Sequence, residues 1–431
     1  MKNNYYIPFT KEMKKTHTVL IPDMLPMHFK LISRVLDNYG FKTELLSGDG
    51  KEIAATGVKY VHNDTCYPAV LVIGQFIHAL QSGKYDLDTT ALIMFQTGGG
   101  CRASNYISLI RKALEKAGFG HVPVISMSFS GIEHHPGFRM TLPMIRRMMY
   151  SILYGDLLMS LVNQTRPYET KEGSAMALAD EWVGRISRGM DRRKRVSYTK
   201  VKETYGEILS SFAALPKSGE EKVRIGVVGE IYVKYSPLAN NHLCDLLVKE
   251  GAEPVVPGLL DFCIFIATNT AYEYPVYGGS YIKHKVFSIA KNYFVKKQKD
   301  LIAAIKKEGH FRTLSDFAHT ETLVKGYIDK GAKMGEGWLL TAEMLELAEN
   351  GCLGIVCTQP FGCLPNHVCG KGMMKPIKER NPGINIVAID YDTAMSVVNQ
   401  ENRIKLMLSA AREEQERRAE GKAEAVAEAV L

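Results

Sequence analysis

No apolar run in this 431-residue chain approaches the roughly 20 residues of a membrane-spanning helix, so no membrane partner is expected. The opening stretch "MKNNYYIPFTKEMKK" holds no hydrophobic segment of the signal-peptide kind. No tract is of low complexity and no short tandem repeat occurs, which excludes disordered and solenoid architectures. A composition of 46% apolar and 23% charged residues is that of a globular protein. The net charge of +8 is spread along the chain rather than gathered in one block, so nucleic acid is not expected as a partner. A G-x4-G-K-[ST] phosphate loop is absent, and with it ATP binding of that kind. The eight cysteines lack the two C-x2-4-C knuckles of a structural zinc site. The expected compartment is the cytoplasm, where cysteines stay reduced and act as ligands or core residues.

What is present reads as two α/β halves. In the first, "HTVLIPDM" (His17 to Met24), "KTELL", "TALIMFQ" and "VPVISMSF" are expected strands. "HFKLISRVLDNYG" (His28 to Gly40) and "YPAVLVIGQFIHALQSG" (Tyr67 to Gly83) repeat apolar residues every three or four positions, which predicts helices. Leu142 to Trp182 is helical and rich in methionine and leucine. The second half restarts the pattern with the strands "VRIGVVGE", "EPVVPG", "LGIVCTQ" and "INIVAIDYD". "ANNHLCDLLVKEGA" (Ala239 to Ala252) is an expected helix, and most of Tyr281 to Asn350 is helical. The boundaries are a first domain over 1–183, a basic and polar linker over 184–222, a second domain over 223–405 and a charged helical tail over 406–431. The linker's basic run "GRISRGMDRRKRVSY" reads as a solvated face rather than an anion site. The fold class is α/β, with two parallel-sheet domains, added helical segments and a cleft between them.

Ligands in open α/β sheets gather at the carboxyl ends of the strands, and the cysteines sort by that rule. Cys101 follows a strand and the glycines of "QTGGGCRASNY" and precedes a helix. Backbone N–H groups and the helix dipole there are expected to lower its pKa. Cys66 stands just before the helix that carries Pro68. "IVCTQPFGCLPNH" puts Cys357 at an expected strand end and Cys363 in the turn-rich loop beyond it. Cys244 and Cys263 read as core residues, Cys352 points to no site, and Cys369 is intermediate. Four thiolates from distant positions imply an iron–sulfur cluster or zinc. Uncoordinated thiols, one of them a nucleophile, are the remaining alternative.

Five stretches carry a resemblance that spans nearly the whole chain. They are "NDTCYPAVLVIGQ", "QTGGGCRASNYISLIRKAL", "GEIYVKYSPLANNHL", "MGEGWLLTAEM" and "CTQPFGCLPNHV". Together they resemble the 2-hydroxyacyl-CoA dehydratase and benzoyl-CoA reductase superfamily, in the branch related to the C-terminal part of large activase-containing proteins. The resemblance implies a [4Fe-4S] cluster between Rossmann-like domains, held at Cys66, Cys101 and Cys363. Three cysteines hold each cluster in the dehydratases, which leaves one iron open to water or substrate; Cys357 is extra here. A double-cubane [8Fe-9S] cluster on six cysteines, as in a homodimeric relative, would also need Cys369 and Cys352. The family implies electrons from a separate activase ATPase with its own iron–sulfur cluster. It also implies a homo- or hetero-oligomer with a related subunit, and an acyl-CoA or other small-molecule substrate. The alternative function is a non-catalytic relay, scaffold or cluster-assembly subunit.

Polar residues near the expected cleft are candidates to move a proton or bond to sulfur. His62, Glu230 and Glu336 lead them. Asn63, Tyr232, Asn241, His242 and His367 follow, with Asn240 also reading as a helix cap. His134 and His135, adjacent after a strand, are weaker candidates.

Overall fold

The computed structural model describes residues 6–48, 50–62, 64–95, 100–127 and 133–430, the last ten of these by backbone alone. The chain is α/β, built on two four-stranded sheets that are parallel throughout. The first contains β1 (Thr18–Pro22), β2 (Lys42–Leu46), β3 (Thr90–Phe95) and β4 (Val124–Met127), in the order β2-β1-β3-β4. The second contains β5 (Val223–Gly229), β6 (Ala252–Val255), β7 (Gly354–Pro360) and β8 (Asn385–Tyr391), in the order β6-β5-β7-β8. The two orders are the same. In each sheet the winding reverses between the first and third strands, β1 and β3 or β5 and β7, so each sheet opens a crevice at those carboxyl ends. The apolar runs become strands because helices cover both faces: Val19 to Pro22 of β1 and all of β7 are buried.

The helix Tyr67–Gln81 is buried almost all round, with Leu71, Ile73, Phe76 and Ile77 in the core. The helix Lys51–Tyr60, which the apolar pattern does not announce, crosses it in backbone contact. A Cβ on Gly57 would lie 2.1 Å from the Val70 carbonyl oxygen, and one on Gly74 2.1 Å from that of Ile53. Only glycine at both positions permits that approach.

The halves share their cores. One apolar cluster joins Leu153, Leu157 and Phe212 to Leu260, Phe265 and Trp338, and another joins Leu92 and Ile110 to Val227 and Val356. The stretch expected as linker contributes to this packing. It contains the helix Tyr198–Ala213, whose Val201, Tyr205, Ile208, Leu209 and Phe212 are buried. The basic loop before it is fixed by Arg147, whose buried guanidinium donates to the carbonyls of Pro143, Met190, Asp191 and Lys194. The expected tail is likewise the continuation of one helix, Val397–Val430, seated on the second sheet through Ile404, Met407, Leu408 and Ala411. From it Gln400 and Arg403 donate to the carbonyls of Asp390 and Ala388 on β8. Those bonds close an edge that would otherwise be free to pair. Among the described residues no helix is long and apolar enough to cross a membrane.

Candidate functional site

Three of the candidate cysteines take the same local position, the residue that begins a helix. Cys66 opens Tyr67–Gln81, Cys101 opens the 3-10 turn Arg102–Asn105, and Cys363 opens Leu364–Cys369. None of the three side chains makes a close capping hydrogen bond to its own helix, although the N–H groups of Ala69, Ala103 and Asn366 each favour the thiolate of the cysteine before them. The Cys66 Sγ lies 3.1 Å from the Tyr106 hydroxyl. Residues 96–99 of the glycine loop and Asn63 lie outside the described residues.

The three positions meet where the halves touch. The backbone N–H of Tyr67 donates to the Phe361 carbonyl at 3.1 Å. Gly362, at φ +76°, brings the second-half loop so close that its Cβ would stand 3.3 Å from the Cys66 Cα. On the other side the Gly100 N–H donates to the Met334 sulfur at 3.3 Å. On the same side Gly335 brings the Met334 loop against Pro365, two residues after Cys363, where its Cβ would stand 3.0 Å from the proline Cβ.

The expected lowering at Cys101 is not found. Burial pushes its thiol up to about 11; the backbone N–H of Ala103 pulls it down, while Glu336 and Glu230 raise it further. Burial raises Cys66 and Cys363 as well. Desolvation of a thiolate therefore outweighs the N–H groups around it.

Glu230 and Glu336 converge on the same place. The Glu230 Oε2 accepts from the Val233 N–H at 2.9 Å, and the Glu336 Oε1 from the Ile231 N–H at 2.8 Å. Both carboxyls thus sit over the start of one short helix, Ile231–Tyr235. Burial raises the pKa of each; Glu336 raises Glu230 further, while Lys234 works against both shifts. Lys234 is itself buried and paired with Glu343 at 2.9 and 3.2 Å.

The other candidates lie elsewhere. Cys357 is not at a strand end: β7 runs on to Pro360, and Cys357 pairs with Val228 and Ala388 in its middle. Its thiol is buried in an apolar cluster with Leu340, Met344, Cys352 and Cys369. Thr358 and Gln359 continue the ladder beside Gly229 and Asp390, as the stretch "LGIVCTQ" implies. His62 is 77% exposed and turned to Asp64. Tyr232 is buried beneath the site, and Asn241 donates to Gln400. His242 and His367 are exposed. Asn240 ties the broken helix together, donating to the carbonyls of Val233 and Lys234 and accepting from the Leu243 N–H. His134 is exposed, and His135 is a core residue that accepts from the Phe9 N–H.

Tyr106, Met334, Lys234 and Glu343 belong to the site and were not among the candidates. Tyr106 had a signal, since it stands five residues after Cys101 at the start of a helix. The Lys234–Glu343 pair had none, being separated by 109 positions. Among the described residues no three His, Cys, Asp or Glu side chains are placed to hold a single metal ion. The loops that carry Cys66, Cys101 and Cys363 lie against one another at this junction, and thiols are the ligands that a group carried on several sulfurs would need. Comparison of the chain with protein-family models and with curated proteins found no match.

Proposed function

We propose that the chain is the iron–sulfur subunit of an ATP-dependent 2-hydroxyacyl-CoA dehydratase- or reductase-like system, fed with low-potential electrons by a separate activase ATPase. One observation carries the reading. Cys66, Cys101 and Cys363 come from both halves of the chain, each begins a helix, and the loops that carry them lie against one another. These thiols would hold a [4Fe-4S] cluster with one iron left without a thiolate. When bound, such a group supplies one-electron chemistry and an open coordination position. The remaining work falls to the chain. Tyr106 hydrogen-bonds the Cys66 sulfur, which favours its thiolate. Glu230 and Glu336 are held towards their protonated forms beside the thiols and can supply a proton there. The apolar cluster around Cys352, Cys357 and Cys369 gives a six-cysteine [8Fe-9S] group no support.

Iron and sulfide analysis of anaerobically purified protein is the direct test. About four iron and four sulfide per chain are expected; one zinc, or no metal, overturns the proposal. A catalytic subunit, once reduced by one electron, should reoxidise on addition of an acyl-CoA. Reoxidation only by a partner protein would favour the relay instead.

A further inference from the structure

The helices Leu259–Tyr277 and Tyr281–Glu308 form a hairpin that turns through Gly278, at φ +69°. Its base belongs to the core: Leu260, Ile264 and Phe265 on one arm and Leu301 and Ile305 on the other are buried. Its outer half is not. On the second arm Ile282, Val286, Ile289 and Tyr293 are 75, 56, 69 and 41% exposed. Single exposed apolar residues are ordinary, but four in one line mark a contact surface.

Their spacing of four, three and four is that of the a and d positions of a two-helix seam. With Ile282 and Ile289 at d, the positions that flank these four residues are Lys283, Lys285, Ala290 and Asn292. Lys283 and Lys285 are exposed. Beyond Tyr293 the next d and a positions are Lys296 and Asp300, so the apolar seam ends there. No acidic residue stands on either flank of the seam.

We propose that this seam is the docking surface for an acidic amphipathic helix of a partner protein, with apolar a and d residues and Glu or Asp on its flanks. Residues flanking a seam select the partner by charge. A second copy of this arm would set lysine against lysine, so self-pairing is disfavoured. A bilayer fits poorly too, because an interfacial helix presents a broad apolar face rather than a narrow seam. Phe287 and Phe294, which would broaden it, are half-buried, and further exposed apolar groups of the hairpin, Val276, Tyr277 and Tyr281, cluster at its turn rather than along the seam.

The hairpin's tip adjoins the thiol site. Lys333 pairs with Glu273 at 2.8 Å and lies over the Tyr277 ring, and the next residue, Met334, accepts from Gly100 beside Cys101. A helix on the seam would therefore lie close to the mouth of that site. The inference goes beyond the proposed function and does not depend on metal content, since docking is read equally on metal-free protein.

The test is an anisotropy titration of the full chain with a synthetic peptide of about three heptads, Leu at a and d and Glu at e and g. Binding that weakens with salt is expected, with none for the same peptide carrying Lys in place of Glu. The double variant Ile282→Glu, Ile289→Glu should lose roughly tenfold or more in affinity, as removal of central apolar anchors does. Both side chains are exposed, so its melting temperature should be unchanged. Should the variant unfold, the comparison of the two peptides on the unaltered chain still decides. Equal binding of both peptides, or of neither, overturns the proposal. A dimer that this variant converts to monomer would assign the seam to a second copy. Binding of the unaltered chain to anionic vesicles, lost in the variant, would assign it to a bilayer. Either result also overturns the proposal.

Discussion

Asp156 holds the two halves together by capping a helix of one while bonded to a histidine of the other. Its Oδ1 accepts from the Leu259 N–H at 2.7 Å and its Oδ2 from the Leu260 N–H at 3.0 Å, at the start of the helix Leu259–Tyr277. The same Oδ1 lies 2.8 Å from the His28 Nε2. Gly155 makes room for the ring, since a Cβ there would lie 2.3 Å from the His28 Cδ2.

Asp156→Ala strands two helix N–H groups and a ring nitrogen in a dry interior. We expect a loss of about 2–4 kcal/mol in urea unfolding, with Asp156→Asn losing less because it keeps one acceptor. A change below about 0.5 kcal/mol in the alanine variant would mean that the junction is held mainly by its apolar contacts.

The Tyr106 hydroxyl favours the Cys66 thiolate, and burial opposes it. Tyr106→Phe should therefore leave the fold intact but slow alkylation of Cys66 in metal-free protein several-fold at fixed pH. That factor corresponds to about 1 kcal/mol for one hydrogen bond to sulfur. An unchanged rate, read by mass spectrometry at Cys66, would show that the bond does not act on the thiol.

Much of this fold was legible because buried parallel strands declare themselves as short apolar runs. All eight strands fall on stretches that read as strands, and the restart at Val223 marks the second sheet. The three helix-starting cysteines were legible for a related reason, as each stands where a turn gives way to a helical pattern. What failed depended on distant partners. Gly57 looks like a helix breaker until the Val70 backbone is seen against it. Cys357 reads as a strand end when "LGIV" alone is taken as the run, although the stretch "LGIVCTQ" already includes Thr358 and Gln359, which go on pairing. The helix expected over Ala239 to Ala252 breaks at Asn241 and His242, both at positive φ, where Asn240 bonds back to residues 233 and 234.

Asp23 is the first residue of the loop out of β1, and its Oδ1 has no partner among the described residues. Burial raises its pKa from an ordinary 3.8 to about 6, against the pull of Lys30. The unfolded chain thus loses this proton first as pH rises. The stability that depends on the protonated form is complete below about pH 4 and is lost as pH climbs through 6. Asp23→Asn should match the unaltered protein near pH 4 and melt at a higher temperature than it at pH 7. Parallel melting curves across that range would show that Asp23 ionises without cost.

The cysteines divide by position, and substitution should divide them the same way. Cys66→Ala, Cys101→Ala and Cys363→Ala each remove a thiol from the junction of the halves, so iron content should fall to a trace or to a smaller cluster. Cys357 and Cys369 face the apolar cluster with Leu340 and Met344. Their alanine variants should keep full iron content and cost about 1–2 kcal/mol each, in packing and, at Cys357, in the weak bond that its thiol donates to the Asn366 Oδ1 at 3.5 Å. Cys244→Ala, on the helix Leu243–Lys249, should behave in the same manner. Iron and sulfide per chain, measured beside urea midpoints, separate the two classes. Iron lost from Cys357→Ala with stability retained would show that β7 shifts when the group is bound and delivers a fourth thiolate. Iron retained in all three junction variants would remove those thiols as ligands, and the proposed function with them.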